Sequence, residues 1–174
     1  MLPRLFFLFI LLISAHSFAA TLRLEESEGK ISVFRENGTE PILVENVRAD
    51  HRPYLHPIVA PDGNGVLTEY SPGHHPHQTG LYWGFTRVNG RDFFHNPSNG
   101  YWELQEANVV SAEGEVVQWE TIYHLIGEDG EALMEETQEW SMRDAGDEYF
   151  IDLVWSGQAH TDITISEYDY GGLF

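Results

Sequence analysis

Alternation with a period of two dominates the second half of the chain. Val117, Trp119, Tyr123 and Leu125 fall on one face of an extended segment, with Gln118, Glu120 and His124 on the other. In the next segment Met134, Trp140 and Met142 oppose Glu135, Thr137 and Glu139, and in a third Tyr149, Ile151, Leu153 and Trp155 share a face. Successive side chains of a strand point to opposite faces, so the pattern predicts three long, half-buried β-strands. Glu128-Asp129-Gly130 and Ala145-Gly146-Asp147 lie between them with turn chemistry, which predicts an antiparallel meander.

Residues 22–25 and 30–34 predict a pair of shorter strands. Asn37-Gly38 then predicts a hairpin turn, because both residues tolerate positive φ, and residues 41–44 return from it. Residues 162–168 read as one more strand. No segment carries a convincing helical period, so the expected fold is all-β, an antiparallel β-sandwich formed by a single domain over residues 20–174. The chain stops at Phe174 just after Gly171-Gly172, where another strand is expected to begin. The domain is therefore expected to be incomplete at its C-terminus.

The first 19 residues are set apart. Arg4 precedes a nine-residue apolar run over residues 5–13, and Ser17-Phe18-Ala19 supplies small residues at a cleavage point. Such a run is short of the roughly 20 apolar residues that a membrane span needs. It predicts an export signal and a secreted or periplasmic protein, with no membrane span once the signal is cleaved.

Charge and cysteine usage narrow the chemistry. The chain has 28 Asp and Glu against nine Lys and Arg, a formal net charge of −19. A surface of that sign repels phosphate backbones, so nucleic acid is not an expected partner. The absence of cysteine excludes a disulfide framework and any thiolate metal site.

Candidate chemistry concentrates in His74-His75-Pro76-His77, bracketed by Pro72-Gly73 and Thr79-Gly80. Imidazole is the side chain that titrates nearest neutrality and the commonest metal ligand. Were the loop extended, His75 and His77 would lie side by side and His74 would face away. His56 and His95 stand in similar loop-like contexts, so five histidines within about forty residues predict one convergent cluster. His124 and His160 read instead as surface or strand positions.

Three uses of the cluster remain open. His75 and His77 would act as general acid and base on a bound substrate. Alternatively, they would ligate a metal with a third donor such as His56, His95 or Glu69. Thirdly, the histidines would only satisfy backbone carbonyls. Nearby aromatic and polar residues suit a small molecule or glycan: Trp83 as a stacking ring, with Arg52, His56, Glu69, His74, His95 and Asn96 contacting the substrate. Tyr82 and Trp83, being adjacent, must face opposite ways on a strand. No cofactor is implied by any other motif.

Arg52-Pro53-Tyr54-Leu55-His56-Pro57, Val66-Leu67-Thr68, His75-Pro76-His77, Leu81-Tyr82-Trp83 and Val88-Asn89-Gly90-Arg91-Asp92-Phe93-Phe94 together resemble a family of exported bacterial proteins labelled methane oxygenase PmoA. Tyr170-Gly171-Gly172-Leu173 resembles a later motif of that family. The resemblance implies a β-supersandwich like that of sugar mutarotases, of which this chain would cover the first half to two thirds. It also implies two activities to weigh. One is sugar chemistry by histidine acids and a carboxylate base, and the other is a soluble His-ligated metal centre of oxygenase type. Many relatives carry His and Arg where this chain has Gln78 and Thr79. The function expected is an exported carbohydrate-binding or carbohydrate-processing protein, with a metalloprotein or a non-catalytic envelope module as alternatives.

Overall fold

A computed structural model describes residues 20–96 and 98–174; the expected export signal, residues 1–19, lies outside the described residues. Those residues form antiparallel β-sheets and no helix. β1 (Leu22–Ser27) and β2 (Lys30–Arg35) turn at Gly29, whose φ of 72° favours a residue without a side chain. β3 (Leu43–Asn46) follows the Asn37-Gly38 turn and pairs with β4 (Tyr54–Ile58). The five-stranded sheet runs β4-β3-β2-β1-β7, closed at one edge by the two residues of β7 (Glu113–Gly114).

The long strands build the second sheet in the order β10-β9-β8-β6. β8 (Val117–Ile126), β9 (Ala132–Asp144) and β10 (Tyr149–Ala159) are the expected meander, each extending the alternating segment by a few residues. β6 (Trp102–Ser111) has no clean alternation in the sequence. Its pairing with β8 slips between Leu104 and Glu106 and again between Val109 and Ser111. Each extra residue of such a bulge reverses the phase of the side chains beyond it. That is why Trp102 and Leu104 share a face with Ala107 and Val109 despite the odd spacing.

Residues 162–168 depart from expectation. They form no strand, only a single bridge from Ile165 to Val88. Thr164 N–H donates to Asn89 Oδ1 and Asn89 N–H to Thr164 carbonyl, so the segment is pinned by side-chain as well as backbone bonds. Residues 172–173 do pair: β11 (Gly172–Leu173) lies antiparallel to β5 (Trp83–Gly84), and Tyr82 and Phe174 exchange backbone hydrogen bonds.

The core lies between the two large sheets, giving a sandwich-like arrangement. Leu22, Ile31, Val33 and Leu43 of the first sheet pack with Trp102, Val117, Trp119, Tyr123 and Leu125 of the second. Arg35 of β2 reaches Asp144 of β9 at 2.7 Å, a charged tie between the sheets. Within this core sit unexpected polar groups. Glu45 accepts a hydrogen bond from Trp119 Nε1, and Glu136 accepts one from Gln138 at 2.6 Å. The buried face of β9 is thus interrupted between Met134 and Trp140 by Glu136 and Gln138.

Both carboxyls respond to being dry. Burial pushes Glu45 up to about 8, against the opposing pull of Trp119 and Thr121. Burial pushes Glu136 up to about 7, opposed by Trp155, Gln138 and the charge of Arg52. Each group therefore holds a proton in the folded chain that it releases on unfolding. Such a contribution is complete below the unfolded value of 4.5 and is lost as pH rises through the folded values. Urea unfolding between about pH 5 and pH 8.5 should show falling stability. A Glu45→Gln/Glu136→Gln double variant should have a clearly flatter profile; an identical slope would refute the assignment.

Candidate functional site

The histidine loop is not extended. His75 N–H donates to Pro72 carbonyl at 2.7 Å and Gln78 N–H to His75 carbonyl at 3.0 Å, so two tight turns run in succession. Pro76 occupies the second position of the latter turn, where its fixed φ is already suitable. Ser71 closes the loop on itself, with N–H donating to Gln78 carbonyl and Oγ to Pro76 carbonyl. The turns alter which rings meet. His74 and His75, expected on opposite sides, have ring centroids 4.5 Å apart, and His75 lies 5.6 Å from His77.

Two anchors fix the loop to the sandwich. At Gly80, with φ of 117°, the chain passes so close to β4 that a Cβ would collide with Leu55 carbonyl oxygen. The other anchor is Arg52, which is fully buried. Its guanidinium carbon lies 3.4 Å from the Tyr82 ring centroid, and Nη2 donates to His77 carbonyl at 2.9 Å and to Thr79 Oγ1 at 3.3 Å. Burial lowers its pKa to about 10, with Tyr82, Glu136 and Asp92 opposing, so it remains a cation at neutral pH. Arg52 was expected to contact substrate. Buried beneath the loop, it positions the loop instead.

His95 joins the loop from a separate turn. Asp92 Oδ1 accepts from the backbone N–H of Phe94 and of His95, and Oδ2 lies 2.6 Å from His95 Nδ1. The carboxylate therefore accepts from Nδ1–H, leaving Nε2 to accept from Tyr170 hydroxyl at 3.0 Å. The His95 and His77 rings lie 4.4 Å apart. Burial, then the neighbouring His95, His75 and Arg52, lowers the pKa of His77, with Asp92 opposing. His77 is accordingly neutral at pH 7, and is able to take up a proton.

Phe94 supports this whole arrangement. It meets the rings of His77, His95, Tyr82, Tyr170 and Phe174 at centroid distances of 5.2 to 6.1 Å. With Tyr54 and Tyr82 it forms a small buried aromatic cluster separate from the main core. Above it, His74 and His75 are exposed while His77 and His95 are half-buried. Tyr170 also lines a shallow cleft of about 320 Å³ with Phe85, Thr86, Ile165, Ser166 and Tyr168. Tyr170 is the member of the site that this cleft shares, and its hydroxyl joins the cleft to the His95 imidazole.

Other expected members lie apart. His56 belongs to β4, not to a loop; its Nδ1 meets Thr68 Oγ1 at 2.9 Å and its ring meets Tyr70. Burial lowers its pKa. Its ring contact is with Tyr70, not with an imidazole of the loop. Glu69 is exposed between Thr68 and Tyr70. Asn96 adjoins His95 with φ of 48°, and its Oδ1 is shielded without a hydrogen-bond partner among the described residues. Trp83 faces away from the loop and stacks on Trp155 at 5.3 Å, because its neighbour Tyr82 takes the opposite face against Arg52. It is packing for the outer strand β10.

The sequence hinted at Asp92, three residues before His95 at the spacing of an Asx-type turn. Tyr170 carried no such local signal. The metal alternative is also redistributed. Among the described residues, three metal-type donors converge on His124, Glu135 and His160, and not on His75 and His77.

Fold and site together define an all-β, sandwich-like protein with a surface imidazole cluster seated on buried aromatic rings. The chain belongs to the Family of unknown function (DUF6807), whose model matches residues 43–174 and so contains the entire site. No curated protein and no solved structure matches the chain. The family carries no stated activity and supplies no link to methane oxygenases.

The anchoring role of Arg52 has a direct measure. Arg52→Ala removes the ring stacking and a charge-assisted hydrogen bond, and should cost on the order of 3 kcal/mol. Amide exchange should accelerate first around residues 77–80. A urea midpoint equal to that of the parent would overturn the assignment.

Proposed function

We propose that this is an exported protein that binds a carbohydrate and transforms it by proton transfer. The observation that supports this best is the hydrogen-bonded sequence Asp92–His95–Tyr170 with the His77 ring 4.4 Å from that of His95. A carboxylate holding one imidazole nitrogen fixes the tautomer and orientation of the other, as an acid–base pair requires. His77, whose pKa is lowered chiefly by burial, complements it as a base. Tyr168 and Tyr170 offer rings for the C–H face of a sugar beside polar groups for its hydroxyls.

In this reading His77 and His95 exchange protons with substrate, and His75 and His74 contact it from the exposed side. Asp92 orients His95. The expected export signal and the resemblance to exported PmoA-like proteins favour a site of action outside the cytoplasm. A mutarotase-like supersandwich is the elaborated form of the fold that this resemblance suggests. A metal held by His75 and His77 is the weaker reading, since their third donor does not converge with them among the described residues.

Calorimetric titration of the full chain against a panel of mono- and oligosaccharides tests the proposal. Binding should weaken at least tenfold in His77→Ala and in Tyr170→Phe, and should fall as pH is lowered and His77 is protonated. Trp83→Ala should alter stability while leaving affinity unchanged. Absence of binding across the panel would sink the carbohydrate reading.

A further inference from the structure

We propose a second site, a zinc-class divalent cation site on the outer face of the second sheet, made by His124, Glu135 and His160. It is independent of the imidazole loop and of the function proposed for it. His124 on β8 is directly opposite Glu135 on β9, and their Nε2 and Oε2 atoms lie 3.4 Å apart. His160 follows β10, and its N–H donates to Leu133 carbonyl of β9 at 2.9 Å. The rings of His124 and His160 have centroids 5.4 Å apart at 80°. One donor atom from each residue can be chosen so that all three lie within 4.8 Å of one another.

These dimensions suit a metal. Tetrahedral zinc, with bonds of about 2.0–2.1 Å to nitrogen and oxygen, separates its ligand atoms by about 3.3 Å. The His124–Glu135 pair already has that spacing. His160 has an exposed side chain on an anchored backbone, so a rotation about its side-chain bonds is enough to bring its nitrogen in. Strand pairing holds the backbone of His124 and Glu135, and a backbone hydrogen bond to Leu133 holds that of His160. Two imidazoles and a carboxylate are hard-to-borderline donors of the kind zinc takes, and they leave a fourth position for water or a ligand.

The surroundings favour a cation. Register places Glu103 of β6 opposite His124, adding a second carboxylate to the same row. His160 also lines a cleft of about 560 Å³ with Asn89, Asp129, Glu131 and Thr161, so acidic groups border the open side. The His124 and Glu135 side chains retain 23% and 37% of their exposure, enough for an ion to enter. Binding would clamp β8, β9 and β10 at one end, where β10 is the outermost strand of its sheet.

Chelator-stripped full chain without an affinity tag, titrated with zinc chloride, provides the test. One equivalent should bind with micromolar or tighter affinity, and Tm should rise by several degrees at saturating metal. Cobalt(II) substituted for zinc should give the visible absorption of a four-coordinate ion. His124→Ala, Glu135→Gln and His160→Ala should each weaken binding at least tenfold, with apo circular dichroism spectra unchanged. His75→Ala/His77→Ala should bind zinc like the parent. No stoichiometric binding would overturn the proposal. So would binding that survives the first three changes or disappears in the last. Sugar titration of His124→Ala separates the sites, because that variant should keep whatever carbohydrate affinity the parent has.

Discussion

A single buried cation holds the candidate site together. Arg52 is fully enclosed in a chain with only nine Lys and Arg, stacked on Tyr82 and donating to the backbone of the histidine loop. A loop with prolines at 72 and 76 cannot pair along its length as a strand, so its position depends on a few specific ties. Arg52 supplies the main one from below, and the close passage of Gly80 over Leu55 supplies another. The charge is tolerated because an aromatic face, a carbonyl and a hydroxyl replace much of its water. Glu136, elsewhere in the core, is close enough to sense that charge.

On this base, three distant parts of the chain converge. The loop contributes His74, His75 and His77; the turn after Arg91 contributes Asp92, His95 and Asn96; the final residues contribute Tyr168 and Tyr170. Phe94 touches members of all three, so the packing of one ring governs the spacing of the polar groups above it. The consequence is an orderly surface: rigid aromatic rings beneath, ionisable groups on top. The short β5–β11 pair matters more than its length suggests, because it delivers Tyr170 to His95.

The two histidine groupings differ in what organises them. In the loop, imidazoles are gathered by turns and packed at an angle against neighbouring rings, which suits proton exchange with an organic ligand. On the sheet, His124, Glu135 and His160 are gathered by strand register, which sets backbone separations closely and suits an ion. Both lie in a strongly acidic molecule, whose field favours cations over anions at either place.

The meander was legible because the signal is local. Period-two alternation in residues 117–155 reports one face buried and one wet, whatever lies across the core, and the turns at Glu128-Asp129-Gly130 and Ala145-Gly146-Asp147 punctuate it. The concentration of candidate chemistry in the His74–His77 loop was legible for a similar reason, since its prolines and imidazoles are adjacent in sequence. What the sequence alone could not disclose is every relation between distant segments. Only the fold decided that Arg52 lies inside, that Trp83 serves β10 while Tyr170 serves His95, and that His124, Glu135 and His160 share one face. Bulges in β6 and the irregular course of residues 162–168 were likewise settled by neighbours. A residue's own pattern determines which way it can face; which partner it meets there depends on strand register and sheet packing, and those are properties of the assembled chain.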